Sequence, residues 1–241
     1  MIKFSRLDTD KARAAVASLQ KAKAAKESYN TPEVNAALAD MFCGKCYICE
    51  NKDGITSFQI EHLKPHREDV KLKYDWHNLF WSCAHCNGIK RAKWEPILDC
   101  SQVDVDQKIA FRKEGYFGRT ERYQFVPLEE SEEIKNTIAL LQEVYYSNTP
   151  QKRMEAVHIR QALRKNLSHF KELVRTYYEA EEFDKEDIKC AIRMEVGKGA
   201  AFAAFKRWLL WDHRDAYKEL VQFCDLPQNQ LEHQMGSDNY E

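Results

Sequence analysis

Two cysteine pairs with the same spacing stand out in the first half of the chain. Cys46 and Cys49 form one Cys-x-x-Cys pair, and Cys83 and Cys86 form the other. Thiolates bind zinc strongly, and two pairs of this kind can supply a complete tetrahedral ligand set from two tight turns. Because such a set leaves no coordination position open, the site it forms is structural rather than catalytic. The pattern therefore predicts a structural Zn²⁺ site.

The ligands contributed by the first pair are not decided by spacing alone. Cys43 and Cys46 make an overlapping pair with the same separation as Cys46 and Cys49. Free thiols in the core are the alternative to a zinc site for all of these residues. The cysteines outside the two chosen pairs, which have no evident partners, are Cys43, Cys100, Cys190 and Cys224. This usage favours a reducing compartment over a framework of disulfides.

Polar side chains able to bind a cation or to move a proton lie between the two pairs and directly after them. These side chains are Glu61, His62, Asn78, Asn87 and Lys90. A neutral imidazole can accept a proton at cellular pH. Carboxylate and carboxamide oxygens suit Mg²⁺ or Mn²⁺, which keep several waters and accept substrate oxygens. A water activated beside such a cation is what phosphodiester hydrolysis requires.

This arrangement resembles the HNH (ββα-metal, His-Me finger) endonuclease family, in which a Cys-x-x-Cys scaffold can flank a short catalytic motif. The resemblance rests on the Glu-His dipeptide, the later asparagine and the Cys-Asn-x-x-Lys sequence that closes the second pair. It implies that Glu61 and Asn87 bind one catalytic divalent cation and that His62 activates water. Asn78 would fix the loop that holds the imidazole, and Lys90 would contact phosphate.

The resemblance also bears on the ligand choice. Family members typically continue the first pair with glutamate, as Cys49-Glu50 does here, so we favour Cys46 and Cys49 as ligands and expect Cys43 to be a small buried side chain. Glu61 departs from the commonest pattern, which has aspartate or histidine there. Its longer side chain changes where a cation would sit but not the chemistry of the ligand.

Other histidines crowd the same region. His66 follows Pro65, and it could contact phosphate or metal or face solvent in a loop. For His85, between the cysteines of the second pair, we expect a solvent-facing side chain.

A second resemblance follows the HNH motif. The sequence Ile-Leu-Asp-Cys ending at Cys100, followed by Asp104 and Asp106, is similar to HNH nucleases encoded beside an ATPase in bacterial Septu-type antiphage systems, including retron-associated ones. It implies the nuclease effector of a defence complex that acts on DNA, with RNA left open. The alternative is a non-catalytic zinc-knuckle adaptor that binds nucleic acid or protein without cleaving it.

Composition places few limits on function. The formal net charge of the 241-residue chain is −1, so any basic surface for nucleic acid must be local. The N-terminus has no apolar signal core, and no stretch reaches the ~20 apolar residues needed to span a bilayer. We therefore expect a cytoplasmic protein with no membrane partner.

Two predicted helices carry clustered basic residues. Residues 9–28 read as a helix rich in alanine and lysine, which could be a solvated surface or an arm that contacts phosphates. Residues 151–178 read as a helix with an apolar face. Beside that face runs a basic stripe composed of Arg153, Arg160, Arg164, Lys171 and Arg175. A solvated face and a phosphate track are both open for this stripe.

The pattern as a whole predicts an α+β protein with a small zinc-stapled ββα-metal core and a largely helical C-terminal region. We expect a basic helical segment at 1–39 and an HNH nuclease domain with structural zinc at 40–126. A helical domain for DNA or partner contacts would follow at 127–226, and a disordered tail at 227–241. Within the nuclease unit, residues 56–62 read as a strand and 111–125 as a hairpin.

Overall fold

The computed structural model describes residues 1–52, 57–115 and 120–224. The predicted disordered tail and the tip of the predicted hairpin lie outside these residues. The helices are α1 (Asp10–Ala25), α2 (Pro32–Met41), α3 (Val70–Lys73), α4 (Ala84–Lys90), α5 (Glu132–Tyr146), α6 (Pro150–Glu179), α7 (Glu182–Val196), α8 (Ala203–Asp212) and α9 (Lys218–Val221). The strands are β1 (Phe58–His62), β2 (Leu79–Cys83), β3 (Ile109–Glu114) and β4 (Arg122–Pro127).

The first two helices start where their capping residues place them. The Thr9 side chain accepts a hydrogen bond from the backbone N–H of Ala12, and α1 ends at Lys26 in a left-handed conformation. Thr31 caps α2 in the same way, with Pro32 at the first helical position. Helix α1 is slightly shorter than the predicted span of 9–28.

A two-stranded antiparallel sheet and one short helix form a ββα unit in the first half of the chain. Strands β1 and β2 pair so that Glu61 lies opposite Phe80 and His62 opposite Leu79. Helix α4 follows β2 without a loop. Together with the second small sheet and the surrounding helices, this ββα arrangement confirms the predicted α+β class.

The second sheet joins the ββα unit to the helical region. Strands β3 and β4 form the predicted antiparallel hairpin. Around Phe205 on α8, the rings of Phe111, Phe125 and Tyr145 lie with centroids 5.3 to 5.9 Å away. Such an aromatic cluster buries a large apolar area. The core is therefore continuous from the sheets into α5 and α8, and the predicted domain boundaries stay a prediction.

Helix α6 buries the predicted apolar face, which includes Leu163, Phe170 and Val174. The neighbouring basic stripe is mostly engaged within the chain. Arg164 pairs with Glu121, and Arg175 pairs with Glu172 and Glu179.

The other two arginines of this stripe donate to backbone oxygens. Arg160 donates to the carbonyl of Tyr145, and Arg153 donates to that of Asn148. These partners favour a solvated, internally paired face over a phosphate track.

Helix α8 is almost fully buried. Its Arg207 forms a buried ion pair with Asp106 at 2.9 Å, and Trp208 donates its indole N–H to the Asp106 carbonyl at 2.8 Å. A buried pair of this kind is costly to break on one side. Among the described residues, the helices lack the combined length and apolar character that a bilayer span requires.

Candidate active site and metal centres

The sulfur atoms of Cys46, Cys49, Cys83 and Cys86 lie within 4.8 Å of one another, and all four side chains are buried. The structure therefore brings together the predicted ligand set. Cys43 is outside this group. Its side chain is half-buried, and its backbone is left-handed at φ 53°, so the expectation of a small buried residue there was wrong.

Local backbone bonds shape the first cysteine turn. The N–H of Glu50 donates to the carbonyl of Cys46 at 2.9 Å, and the N–H of Tyr47 donates to the carbonyl of Trp81 on β2 at 3.0 Å. This second bond sets the turn beside the end of β2, where Cys83 lies, with Cys86 in the first turn of α4.

The chemistry of the cluster suits a cation. Burial raises the pKa of the Cys86 thiol well above its usual range, since no solvent stabilises a lone thiolate there. Four cysteine side chains buried together form a donor set that Zn²⁺ binds as thiolates. A zinc ion would stabilise them as thiolates, so the donor set fits structural Zn²⁺.

Glu61 is buried between the strand and α4. One carboxylate oxygen accepts a hydrogen bond from the Tyr47 hydroxyl at 2.7 Å, and the other accepts one from the Lys90 ammonium at 2.7 Å. Burial raises the pKa of Glu61 to about 7, against the opposing effects of Lys90 and Tyr47. The Lys90 ammonium supplies the positive charge that makes a buried carboxylate tolerable here.

Lys90 differs from its predicted role. Its side chain is fully buried, and its ammonium also donates to the carbonyl of His62 at 2.9 Å. In this arrangement it has no exposed surface with which to meet phosphate. The expectation came from the resemblance to the HNH family. The last turn of α4 instead directs this side chain into the core.

His62 is held by one ring nitrogen. Its Nε2 lies 3.0 Å from the carbonyl oxygen of Lys73, and because a carbonyl only accepts, Nε2 carries the hydrogen. Nδ1 is then the nitrogen that can accept a proton. Burial lowers the pKa of His62, which keeps the ring neutral near pH 7. A neutral imidazole with one fixed donor is suited to act as a general base.

Asn78 fastens the loop that follows His62. Its Oδ1 accepts from the N–H of Lys64 at 2.8 Å, and its Nδ2 donates to the carbonyls of Lys64 at 2.8 Å and Leu72 at 3.1 Å. Leu72 precedes Lys73, whose carbonyl holds the imidazole. Asn78 thus acts on the orientation of His62 through the loop backbone.

Asn87 lies on the same side of the sheet as Glu61. Its Nδ2 donates to Gln59 at 2.8 Å, which leaves its carbonyl oxygen outside that bond. Gln59 and Glu61 are two residues apart on β1 and so share one face of the strand, which meets Asn87 and Lys90 on α4.

The donors at this second site suit a hard divalent cation. Glu61 already holds one positive group, the Lys90 ammonium, and Asn87 offers a carboxamide oxygen. A bound Mg²⁺ or Mn²⁺ would share the Glu61 carboxylate with the Lys90 ammonium or take the place of that ammonium.

Two contacts of Glu61 and Asn87 were missed from the sequence. Tyr47 lies inside the first cysteine pair, and no sequence motif marks it as a partner of Glu61. Gln59 could have been found, because the two-residue period of a strand places it beside Glu61.

The other histidines separate clearly. His85 is buried, with Nδ1 2.7 Å from Glu155 and Nε2 2.9 Å from the carbonyl of Val144. The expectation of a solvent-facing His85 was therefore wrong, because α5 and α6 cover it. The ring therefore joins the second cysteine pair to the two helices through one contact on each nitrogen. His66 lies beside His62, with ring centroids 4.8 Å apart.

The same segment is similar to known proteins. Residues 46–93 match the family model described as HNH endonuclease. The chain is 33% identical to the Septu protein PtuB of Bacillus mycoides (strain KBAB4), over 30% of this chain and 29% of that protein. It is 34% identical to the Septu protein PtuB of Bacillus thuringiensis, over 30% of each.

These similarities confirm the two resemblances seen in the sequence. The chain carries an HNH endonuclease domain at residues 46–93. Each alignment spans less than a third of the relative's own length.

For the zinc centre we expect one equivalent of zinc per chain, measured by elemental analysis of the purified protein. Cys46→Ser and Cys83→Ser should each lose the metal and with it much of the folding free energy, which for structural zinc is on the order of 10 kcal/mol. Cys190→Ser, at an exposed cysteine, is the matched control and should keep the zinc. A folded wild-type preparation without zinc would contradict the assignment.

For the buried pair we expect Lys90→Met to lower the free energy of unfolding by about 3–5 kcal/mol, because it leaves the buried Glu61 carboxylate without a positive partner. The double variant Glu61→Gln with Lys90→Met should lose less than the single variant. Lys93→Met, at an exposed lysine, should change stability by less than about 0.5 kcal/mol. Urea denaturation of the four proteins measures this, and equal losses in the single and double variants would show that the pair does not carry the effect.

Proposed function

We propose that the chain is a metal-dependent endonuclease that hydrolyses phosphodiester bonds in DNA. The observation that carries the proposal is the fixed imidazole of His62, whose unprotonated Nδ1 is defined by the Nε2 bond to Lys73. It lies within the segment that matches the HNH endonuclease family. A non-catalytic adaptor would have no use for a neutral histidine held in one tautomer.

The side chains divide the work of such a reaction. His62 Nδ1 takes the proton of the attacking water, and Asn78 keeps the ring in place through the 64–73 loop. Glu61 and Asn87 would hold the divalent cation, which when bound supplies positive charge to the phosphate and the leaving oxygen. Lys90 orients Glu61 from within the core.

The relatives support a setting for this activity. We propose that the protein is the nuclease effector of a bacterial antiphage system and acts with an ATPase partner, as the similarity to Septu proteins favours. The helical region offers a surface for that contact. On α7, Phe183 is 94% exposed and Met194 is 73% exposed. The two residues are eleven positions apart, which places them on one side of a helix.

The nuclease proposal predicts that the wild-type chain nicks or cuts supercoiled plasmid DNA when Mg²⁺ or Mn²⁺ is added. His62→Ala should reduce the rate by about 10²-fold or more, because it removes the proton acceptor but no scaffold contact of the zinc cluster. His77→Ala, at an exposed histidine in the same segment, should leave the rate unchanged. Gel electrophoresis of the plasmid over time is the measurement. Near-normal turnover in His62→Ala would remove His62 as the base and make His66 the next candidate.

The partner proposal predicts a stable complex when the chain is co-expressed with the ATPase of its defence system, contacting it through residues 127–226. Size-exclusion chromatography with light scattering should show one peak at the combined mass. The variant Phe183→Asp with Met194→Asp should shift that peak towards the separate proteins. Leu7→Asp, at an exposed apolar residue outside the helical region, should not. Two separate wild-type peaks at micromolar concentration would contradict the proposal.

A further inference from the structure

A cleft of about 700 Å³ lies beside the candidate histidine, between the end of α1 and the segment 66–74. This volume is within the range of sites that take small organic ligands. Its lining includes Lys23, Lys26, His66, Val70, Lys73 and Tyr74. Lys23 on α1 and Lys26 directly after it lie outside the segment that matches the HNH family.

The position of the cleft relative to the candidate base is set by ring contacts. His66 faces the cleft, and its ring centroid is 4.8 Å from that of His62. Tyr29, in the connection between α1 and α2, also contacts His62, with its ring centroid 4.7 Å from that of the imidazole. The hydroxyl of Tyr74 donates to the carbonyl of Glu27 at 2.5 Å and ties this connection to the wall of the cleft. A ligand in the cleft would therefore lie next to the reacting group.

The charges of the cleft favour an anion. Three ammonium groups line it against a single carboxylate, that of Glu68. Among the described residues, Lys23, Lys26 and Lys73 form no ion pair, in contrast to Lys11 on α1, which pairs with Asp40. The stripe on α6 differs, because Arg164 and Arg175 are neutralised by glutamates of the same chain. Unpaired lysines retain their attraction for phosphate.

His66 adds a neutral donor to these charges. Its Nδ1 accepts a hydrogen bond from the N–H of Glu68 at 3.2 Å. In the neutral ring the hydrogen is then on Nε2, which can donate to a phosphate or sugar oxygen.

The same cleft has an apolar wall. Val70 is exposed, although valine is usually buried, and the ring of Tyr74 stands beside it. The ammonium of Lys73 lies 5.1 Å from the centre of that ring. Aromatic and apolar surface next to unpaired lysines is the combination that binds a nucleotide, with the base on the ring and the phosphate on the cations.

We propose that this cleft binds the DNA nucleotide adjoining the phosphodiester bond that His62 addresses. Lys23 and Lys26 contact its phosphate, and Tyr74 supports its base or sugar. The inference rests on the proposed nuclease function and assigns substrate binding to the N-terminal helix. It explains how a chain of net charge −1 can attract DNA at the reacting group.

The test compares two double variants of the full chain that change net charge equally. Lys23→Gln with Lys26→Gln removes the α1 cations of the cleft. Lys21→Gln with Lys165→Gln removes two exposed lysines elsewhere, one on α1 and one on the basic helix α6. Fluorescence anisotropy measures the Kd for a fluorescein-labelled 20-base-pair DNA duplex between 25 and 200 mM KCl, roughly the range over which phosphate contacts respond to salt. No Mg²⁺ or Mn²⁺ is added, so the DNA stays intact.

We expect the cleft variant to bind more weakly, with the slope of log Kd against log salt reduced by about 2, while the control keeps the wild-type slope. Tyr74→Leu should weaken binding without changing the slope, because it removes stacking but no charge. Equal loss in both double variants, or no DNA binding by the wild type at 25 mM KCl, would overturn the inference. An RNA duplex that loses affinity in the cleft variant while DNA does not would overturn the assignment to DNA.

Plasmid cleavage by the same proteins keeps the two proposals apart. If the wild type cleaves DNA and the cleft variant binds and cleaves as the control does, the nuclease function stands and the cleft assignment fails. If the wild type binds DNA through the cleft but never cleaves it, the nuclease function fails and the binding site stands. Circular dichroism of each variant checks that the fold is retained.

Discussion

The four-cysteine cluster is the constraint on which the rest of the nuclease unit depends. It brings together a turn that precedes β1 and the junction of β2 and α4, so a bound metal would hold the ends of the ββα unit through one set of bonds. Regular structure between these points is short, with strands of five residues and a helix of seven. Elements of this length are marginal alone, because each buries little apolar surface. A metal held by four thiolates would supply the missing free energy and set the spacing from which the polar residues are presented.

The polar interior follows from that frame. Once α4 lies against β1, Glu61 has no access to bulk water, and a buried carboxylate requires a positive partner. Lys90 provides it, and the same ammonium bonds to the carbonyl of His62, so the carboxylate and the histidine backbone are held by one cation. On the other side, Asn78 shapes the loop whose carbonyl fixes the imidazole. The orientation of the candidate base is thus a property of two buried hydrogen-bond networks.

The surface charge is distributed unevenly although the net charge is close to zero. On α6 the arginines are paired with glutamates or carbonyls, and they stabilise the junction of α6 with β4 and α5. In the cleft near His62, Lys23, Lys26 and Lys73 have no acidic partner among the described residues. Salt screens electrostatic attraction beyond about 10 Å. Unpaired charges beside the reacting group therefore attract a phosphate there more strongly than paired charges at a distance do. The N-terminal helix is then part of the site rather than an appendage.

The sequence by itself determined the features that depend on local spacing. Cysteine separation predicted a zinc site, because a Cys-x-x-Cys turn brings two thiols together wherever it folds. The choice of Cys46 and Cys49 over Cys43 came from the family resemblance. The Thr31-Pro32 cap and the break at Thr149-Pro150 set helix boundaries through bonds within a few residues. The two-residue period of β1 placed Glu61 and His62 on opposite sides of the strand.

Tertiary structure alone decided which partners these side chains meet. Lys90 turned inward because α4 packs on the buried carboxylate, His85 was covered by α5 and α6, and Glu121 neutralised Arg164 from 43 residues away. Each of these outcomes depends on contacts between distant segments, and no periodicity along the chain records which segments will pack together.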